Sequence, residues 1–172
     1  NSFEAKTQAL MDEHGKTLLK LAAQSIYHGL HTALPLVVNQ AKYPKALSEL
    51  GASFVTLSLR GQLRGCIGSF MHERPLTEDV AKNAYASAFY DHRFDALKSE
   101  ELEDLELSIS ILSPLTPMVI TDEKDLISQL RQGVDGLIVE DVDKRALFLP
   151  SVWNQFPRSE DFLTNLKTKA NM

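Results

Sequence analysis

The feature that most constrains this chain is the stretch from Phe54 to Phe70, where apolar residues recur with a period of two. Val55, Leu57 and Leu59 alternate with Thr56, Ser58 and Arg60, the pattern of a strand with one buried face. Gly61-Gln62 suits a two-residue turn with glycine at its first central position, and a second strand follows. A lone hairpin is marginal in water and needs more strands or helices against its apolar face. The rest of the chain must supply them.

It does so in a consistent order. Asp12 to Leu30 reads as a helix, with Leu18, Leu21, Ala22, Ile26 and Leu30 on one side. Residues 31–51 are interrupted by Pro35 and Pro44 and read as short helix and loop. Pro75 to Tyr90 is helical, with Thr77 as N-cap and Val80, Ala81, Ala84, Tyr85, Ala88 and Phe89 as its apolar face. A short acidic helix at Ser99–Asp104 precedes a strand from Leu105 to Leu112. Glu123 to Arg131 is helical. Leu137–Glu140 and Arg145–Leu149 make a second hairpin, fed by the Gly133-Val134-Asp135-Gly136 turn. Ser151–Phe156 is one helical turn in which Trp153 is a core anchor, and Ser159 caps a last helix. Two hairpins, one single strand and interspersed helices, without strict β-α-β alternation, indicate an α+β fold with a mainly antiparallel sheet. At 172 residues, one domain over 1–172 is expected.

Composition narrows the function classes. Eighteen Lys and Arg against 23 Asp and Glu give a net charge of -5, which argues against phosphate-backbone binding by clustered cations. No apolar run approaches the ~20 residues of a membrane helix. The single cysteine cannot form an intramolecular disulfide. With no signal-peptide pattern, a cytoplasmic setting is the expectation. Walker and Rossmann fingerprints are absent. His28 and His31 sit three apart without a third ligand placed by spacing, so neither metal nor cofactor is expected.

Chemistry concentrates in Leu63-Arg64-Gly65-Cys66-Ile67-Gly68. With a turn at Gly61-Gln62, Leu59 faces Arg64 and Leu57 faces Cys66, which puts both on the apolar face. A guanidinium there requires a carboxylate, a ligand anion or solvent. Gly65 and Gly68 weaken a strand and mark close approach by a backbone or a ligand. Cys66 reads as a packed small hydrophobe, since free cysteine is among the most buried residue types. The competing reading is a nucleophile, which needs a base, and His92 is the candidate. Asp91-His92-Arg93-Phe94 is the second cluster, read equally as a ligand-binding loop and as a charged helix exit in which Arg93 pairs with Asp91 or Asp95.

Together, Leu63 to Phe70, Ser87 to Phe94, Glu106 to Ser113, Gly133 to Leu137 and Leu149 to Trp153 resemble the AMMECR-one domain family. The resemblance runs in order from Gly51 to the C-terminus and includes Phe162-Leu163 and Lys169-Ala170. It implies a five-stranded antiparallel sheet with packed helices, a small helical lobe, and frequent genetic association, or fusion, with Memo-like proteins and radical-SAM enzymes. The family signature falls on Arg64, Cys66 and Gly68, and its second block on Asp91 and Arg93. Three functions remain in view. One is a component of a Memo-like and radical-SAM system with an anionic-ligand site built from Arg64, Gly65, Gly68, Asp91 and Arg93. Another is a cysteine-dependent enzyme acting on a small anionic substrate through Cys66, Arg64 and His92. The last is a non-catalytic adaptor or regulator.

Overall fold

A β-bulge in the first hairpin decides which residues face the core. The computed structural model describes residues 2–172, with β1 at Leu50–Leu59 and β2 at Gln62–Gly68. The turn is Arg60-Gly61, one residue earlier than the glycine position suggests. Both residues have positive φ, 52° and 78°, the mirror-image geometry that matches strand twist. Moving a turn by one residue changes every pairing by two and leaves the faces unaltered. The bulge does alter them. Ser58 pairs with Leu63 but Leu57 pairs with Gly65, so Arg64 is the extra residue. Beyond it Thr56 pairs with Cys66, Val55 with Ile67 and Phe54 with Gly68. The expected pairs Leu59–Arg64 and Leu57–Cys66 do not form. Cys66 lies with Thr56 on the face opposite Val55 and Leu57.

Helices α1 (Ser2–Thr32) and α2 (Leu76–Phe89) cover the Val55 and Leu57 face. Leu18, Ala22 and Ile26 from α1 join Val80, Ala84 and Ala88 from α2 in one buried cluster. Gly29 lets the helices approach, because a Cβ there would lie 2.6 Å from the Phe89 ring and 2.7 Å from that of Tyr85. α1 starts ten residues before the expected Asp12, and Leu10 and Met11 pack against the core from that added length. The intervening polar residues dilute the apolar period there, which hides the start. Pro75 stands at the cap of α2, and Thr77 lies inside the helix, donating its hydroxyl to Gln40 Oε1 at 2.7 Å.

On the other side of β1, β4 (Leu105–Leu112) pairs antiparallel from Ala52–Leu112 to Leu59–Leu105 without a shift. The two-residue β3 (Arg74–Pro75) pairs with Leu50 and Gly51. This unit ends at Leu115.

Thr116–Met172 forms a second compact unit. It holds α3 (Glu123–Gln129), the hairpin β5 (Leu137–Asp141) and β6 (Lys144–Phe148), and α4 (Ser159–Lys169). Trp153 anchors its core as expected, stacked on Phe162 with centroids 3.8 Å apart and donating Nε1–H to the Asp135 carbonyl. The fold is α+β with antiparallel pairing and packed helices. Its strands divide between two sheets, since among the described residues β5 and β6 pair only with each other. Among the described residues, no helix is long and apolar enough to cross a membrane.

Candidate functional site

The polar groups of α2 explain why the signature segment is built as it is. Asp79, Asn83, Ser87 and Asp91 are spaced by four, so they form one stripe along α2 and its exit, facing β1 and β2. Each satisfies a strand backbone group. Asp79 Oδ2 accepts the Ser53 amide at 2.7 Å, and Asn83 Nδ2 donates to the Ser53 carbonyl at 2.9 Å. Ser87 Oγ accepts the Ile67 amide at 2.9 Å and lies 2.8 Å from the Val55 carbonyl, bridging the two strands. Asp91 Oδ2 accepts the Cys66 amide at 3.0 Å. Sequence reasoning found Asp91 and missed the other three. Their signal was the four-residue spacing of polar side chains inside an otherwise apolar helix.

Close approach by the protein itself accounts for both signature glycines. A Cβ on Gly65 would lie 2.1 Å from the Ser87 carbonyl oxygen, and one on Gly68 would lie 2.1 Å from the Phe54 ring. The bulge lets Arg64 leave the strand. It is buried, 9% exposed, with Nε and Nη2 on the Glu101 carboxylate at 2.7 and 3.1 Å and Nη2 also on the Asp95 carbonyl at 2.7 Å. Its Nη1 has no hydrogen-bond partner among the described residues. The Glu101 hydrogen bond raises the Arg64 pKa against the cost of burial, and the same bond lowers that of Glu101.

Asp91 is the second anchor. Arg93 Nε and Nη2 donate to its two oxygens at 3.0 and 2.7 Å. Arg93 Nη2 also reaches the Cys66 carbonyl at 3.5 Å. The Arg93 hydrogen bond, helped by the Cys66 and Arg93 amides, holds Asp91 well below the usual carboxylate range despite desolvation. Phe94 joins the two cations. The Arg64 and Arg93 guanidinium carbons lie 5.7 and 5.4 Å from its ring centroid.

Arg64, Cys66, Asp91 and Arg93 therefore meet around one strand segment. His92 does not join them as a base. It is exposed and makes no hydrogen bond or ion pair among the described residues. The Cys66 thiol is half-buried, not packed in the core, and its partner is Thr56 Oγ1 at 3.3 Å. A hydroxyl is no base for thiolate formation at neutral pH. His31 is engaged with Tyr27, through its carbonyl at 2.9 Å and its ring. Among the described residues no group of three or more His, Cys, Asp or Glu is placed to hold a metal.

A neighbouring polar cluster lies outside the expected residues. Asp79, fully buried, takes Arg74 Nε at 2.8 Å, and Arg74 Nη2 meets Asn83 Oδ1 at 3.3 Å. Arg74 lines an open depression of about 270 Å³ with Ser69, Phe70, Met71 and Glu73.

The AMMECR1 family profile matches residues 19–172, the signature, the α2 stripe and the whole second unit included. The chain belongs to the AMMECR1 family. A Methanothermobacter thermautotrophicus protein is 36% identical over 168 residues, spanning 97% of this chain and 87% of its own length. A Sulfolobus acidocaldarius protein is 37% identical, spanning 92% of this chain and 71% of that one. The crystal structure of uncharacterized protein PH0010 from Pyrococcus horikoshii aligns at a TM-score of 0.83, with 34% identity over 93% of this chain and 81% of that one. The AMMECR1 match reaches back into α1, well before Gly51.

Proposed function

We propose that this AMMECR1-family chain is a binding component of a cytoplasmic system with Memo-like and radical-SAM proteins, presenting the surface around Arg93 and Cys66 to a partner. One observation carries the reading. The signature's polar groups are turned inward, Arg64 onto Glu101 and Asp91 onto the Cys66 amide and Arg93, while among the described residues no base meets the thiol. Such an arrangement builds a rigid surface. Arg93 stays 56% exposed at its side chain although Asp91 fixes its orientation. A pre-oriented arginine beside an aromatic ring loses little conformational entropy on binding. The test is co-purification of the tagged chain with a Memo-like protein from the same genome. Stable capture is expected, weakened about tenfold or more by Arg93→Ala. Absence of any complex with the wild-type chain ends the proposal.

A second reading, a cysteine-dependent enzyme acting on a small anionic substrate, is favoured by the half-buried Cys66, whose backbone carbonyl lies 3.5 Å from Arg93 Nη2. Full activity of a reconstituted partner system carrying Cys66→Ser would dismiss it.

A further inference from the structure

The two outer edges of the β2-β1-β4 sheet are treated very differently. An open strand edge is a template for pairing with another chain, and proteins blunt such edges with bulges, charges or covering side chains. β2 is blunted twice, by the Arg64 bulge and by Asp91 and Arg93, which occupy the Cys66 amide and carbonyl. β4 has eight residues, no bulge, no proline and no lysine.

The register shows which β4 groups face outward. The Ser53 carbonyl accepts Ser69 N, and the Val55 carbonyl accepts Ser87 Oγ, so both turn toward β2. Ala52, Phe54, Thr56 and Ser58 therefore turn toward β4, and their partners Leu112, Ser110, Ser108 and Glu106 turn back. The N–H and C=O groups of Leu105, Leu107, Ile109 and Ile111 are left pointing away from the sheet. The Leu105 N–H is taken by the Leu102 carbonyl, and the other seven groups have no hydrogen-bond partner among the described residues. The same four side chains lie on the core face but are only partly buried, whereas Val55 and Leu57 beside them are fully buried.

We infer that the chain forms a two-fold dimer by antiparallel pairing of β4 with β4 of a second copy, Leu107 opposite Ile109. The strand is complementary to itself in that register. Leu105 meets Ile111, Glu106 meets Ser110, and Ser108 meets Ser108 across the axis. Apolar side chains then face apolar ones and no two carboxylates are opposed. Of the two neighbouring allowed registers, the one centred on Ile109 would set Glu106 against Leu112, and the one centred on Leu107 would pair only residues 105–109 and leave Ile111 unopposed. The partly covered apolar row would continue from one core into the other, and the open edge would vanish. This dimer is independent of the partner surface at Arg93, so either proposal can fail alone.

Sedimentation equilibrium of the full chain tests it, together with hydrogen exchange across a dilution series. A species of twice 19.2 kDa is expected, with the Leu107, Ile109 and Ile111 amides losing protection as it dissociates. Ser108→Lys sets two ammonium groups opposite each other on an exposed face and is expected to weaken association about tenfold or more, with unchanged circular dichroism. A wild-type monomer at every soluble concentration overturns the inference. So does a dimer in which those three amides exchange as fast as in the dilute chain, a result that needs no variant to fold.

Discussion

Asp91 Oδ2 accepts the Cys66 amide at 3.0 Å, and that bond ties the exit of α2 to the outer edge of β2. The same carboxylate orients Arg93, so one buried side chain aligns the strand and the loop cation together. Asp91→Ala leaves a strand amide and a guanidinium without their acceptor. A loss of about 3 kcal/mol is expected in urea unfolding, within the range for breaking a buried charged hydrogen bond. A loss below about 0.5 kcal/mol would show the bond to be dispensable.

Acid should expose the same linkage. Asp91 and Glu101 are both held below their usual pKa by arginine partners. A carboxylate with a depressed folded pKa contributes stability above its unfolded value, about 4, and that contribution is lost as pH falls through the folded value. The urea midpoint of the wild type should therefore fall from about pH 4 downward. Asp91→Asn should start lower and fall less. Parallel curves for the two proteins would contradict this.

Arg64 offers a test of whether its pairing is structural. Arg64→Met strands Glu101, which is a quarter exposed, and should cost about 2 kcal/mol. Adding Glu101→Leu should recover most of the loss, because an apolar pair replaces a partly buried ion pair at little net cost. If the double variant is no better than the single one, Arg64 is held by something other than Glu101.

The two signature glycines should respond unequally to alanine. Gly65→Ala drives a methyl into the Ser87 carbonyl, which α2 holds in place, and should cost more than about 3 kcal/mol. At Gly68 the obstacle is the Phe54 side chain, which can turn about χ1, so a smaller loss is expected. Thermal unfolding of the two variants ranks them, and the reverse order would reject the account.

Phe162→Ala removes the partner of the only tryptophan and a fully buried ring, which should cost about 3–5 kcal/mol. Trp153 fluorescence reports the change, which should also move its emission to the red.

Much of this fold followed from periodicity alone. The period of two at Val55, Leu57 and Leu59, the apolar face of α2, the Leu105–Leu112 strand and the Trp153 anchor depend on local pattern and burial, which sequence carries directly. The pairing of Cys66 did not follow. A bulge depends on how α2 presses against β2 at Gly65, and nothing between Phe54 and Phe70 reveals that a helix carbonyl will sit there. The Arg64–Glu101 pair joins residues 37 positions apart, so only the closed chain could select that partner from the 23 acidic residues. The residues alone carried the α+β class, the family and four members of the site, Arg64, Cys66, Asp91 and Arg93. Tertiary structure decided their orientation, because one inserted residue reverses the face of every side chain beyond it.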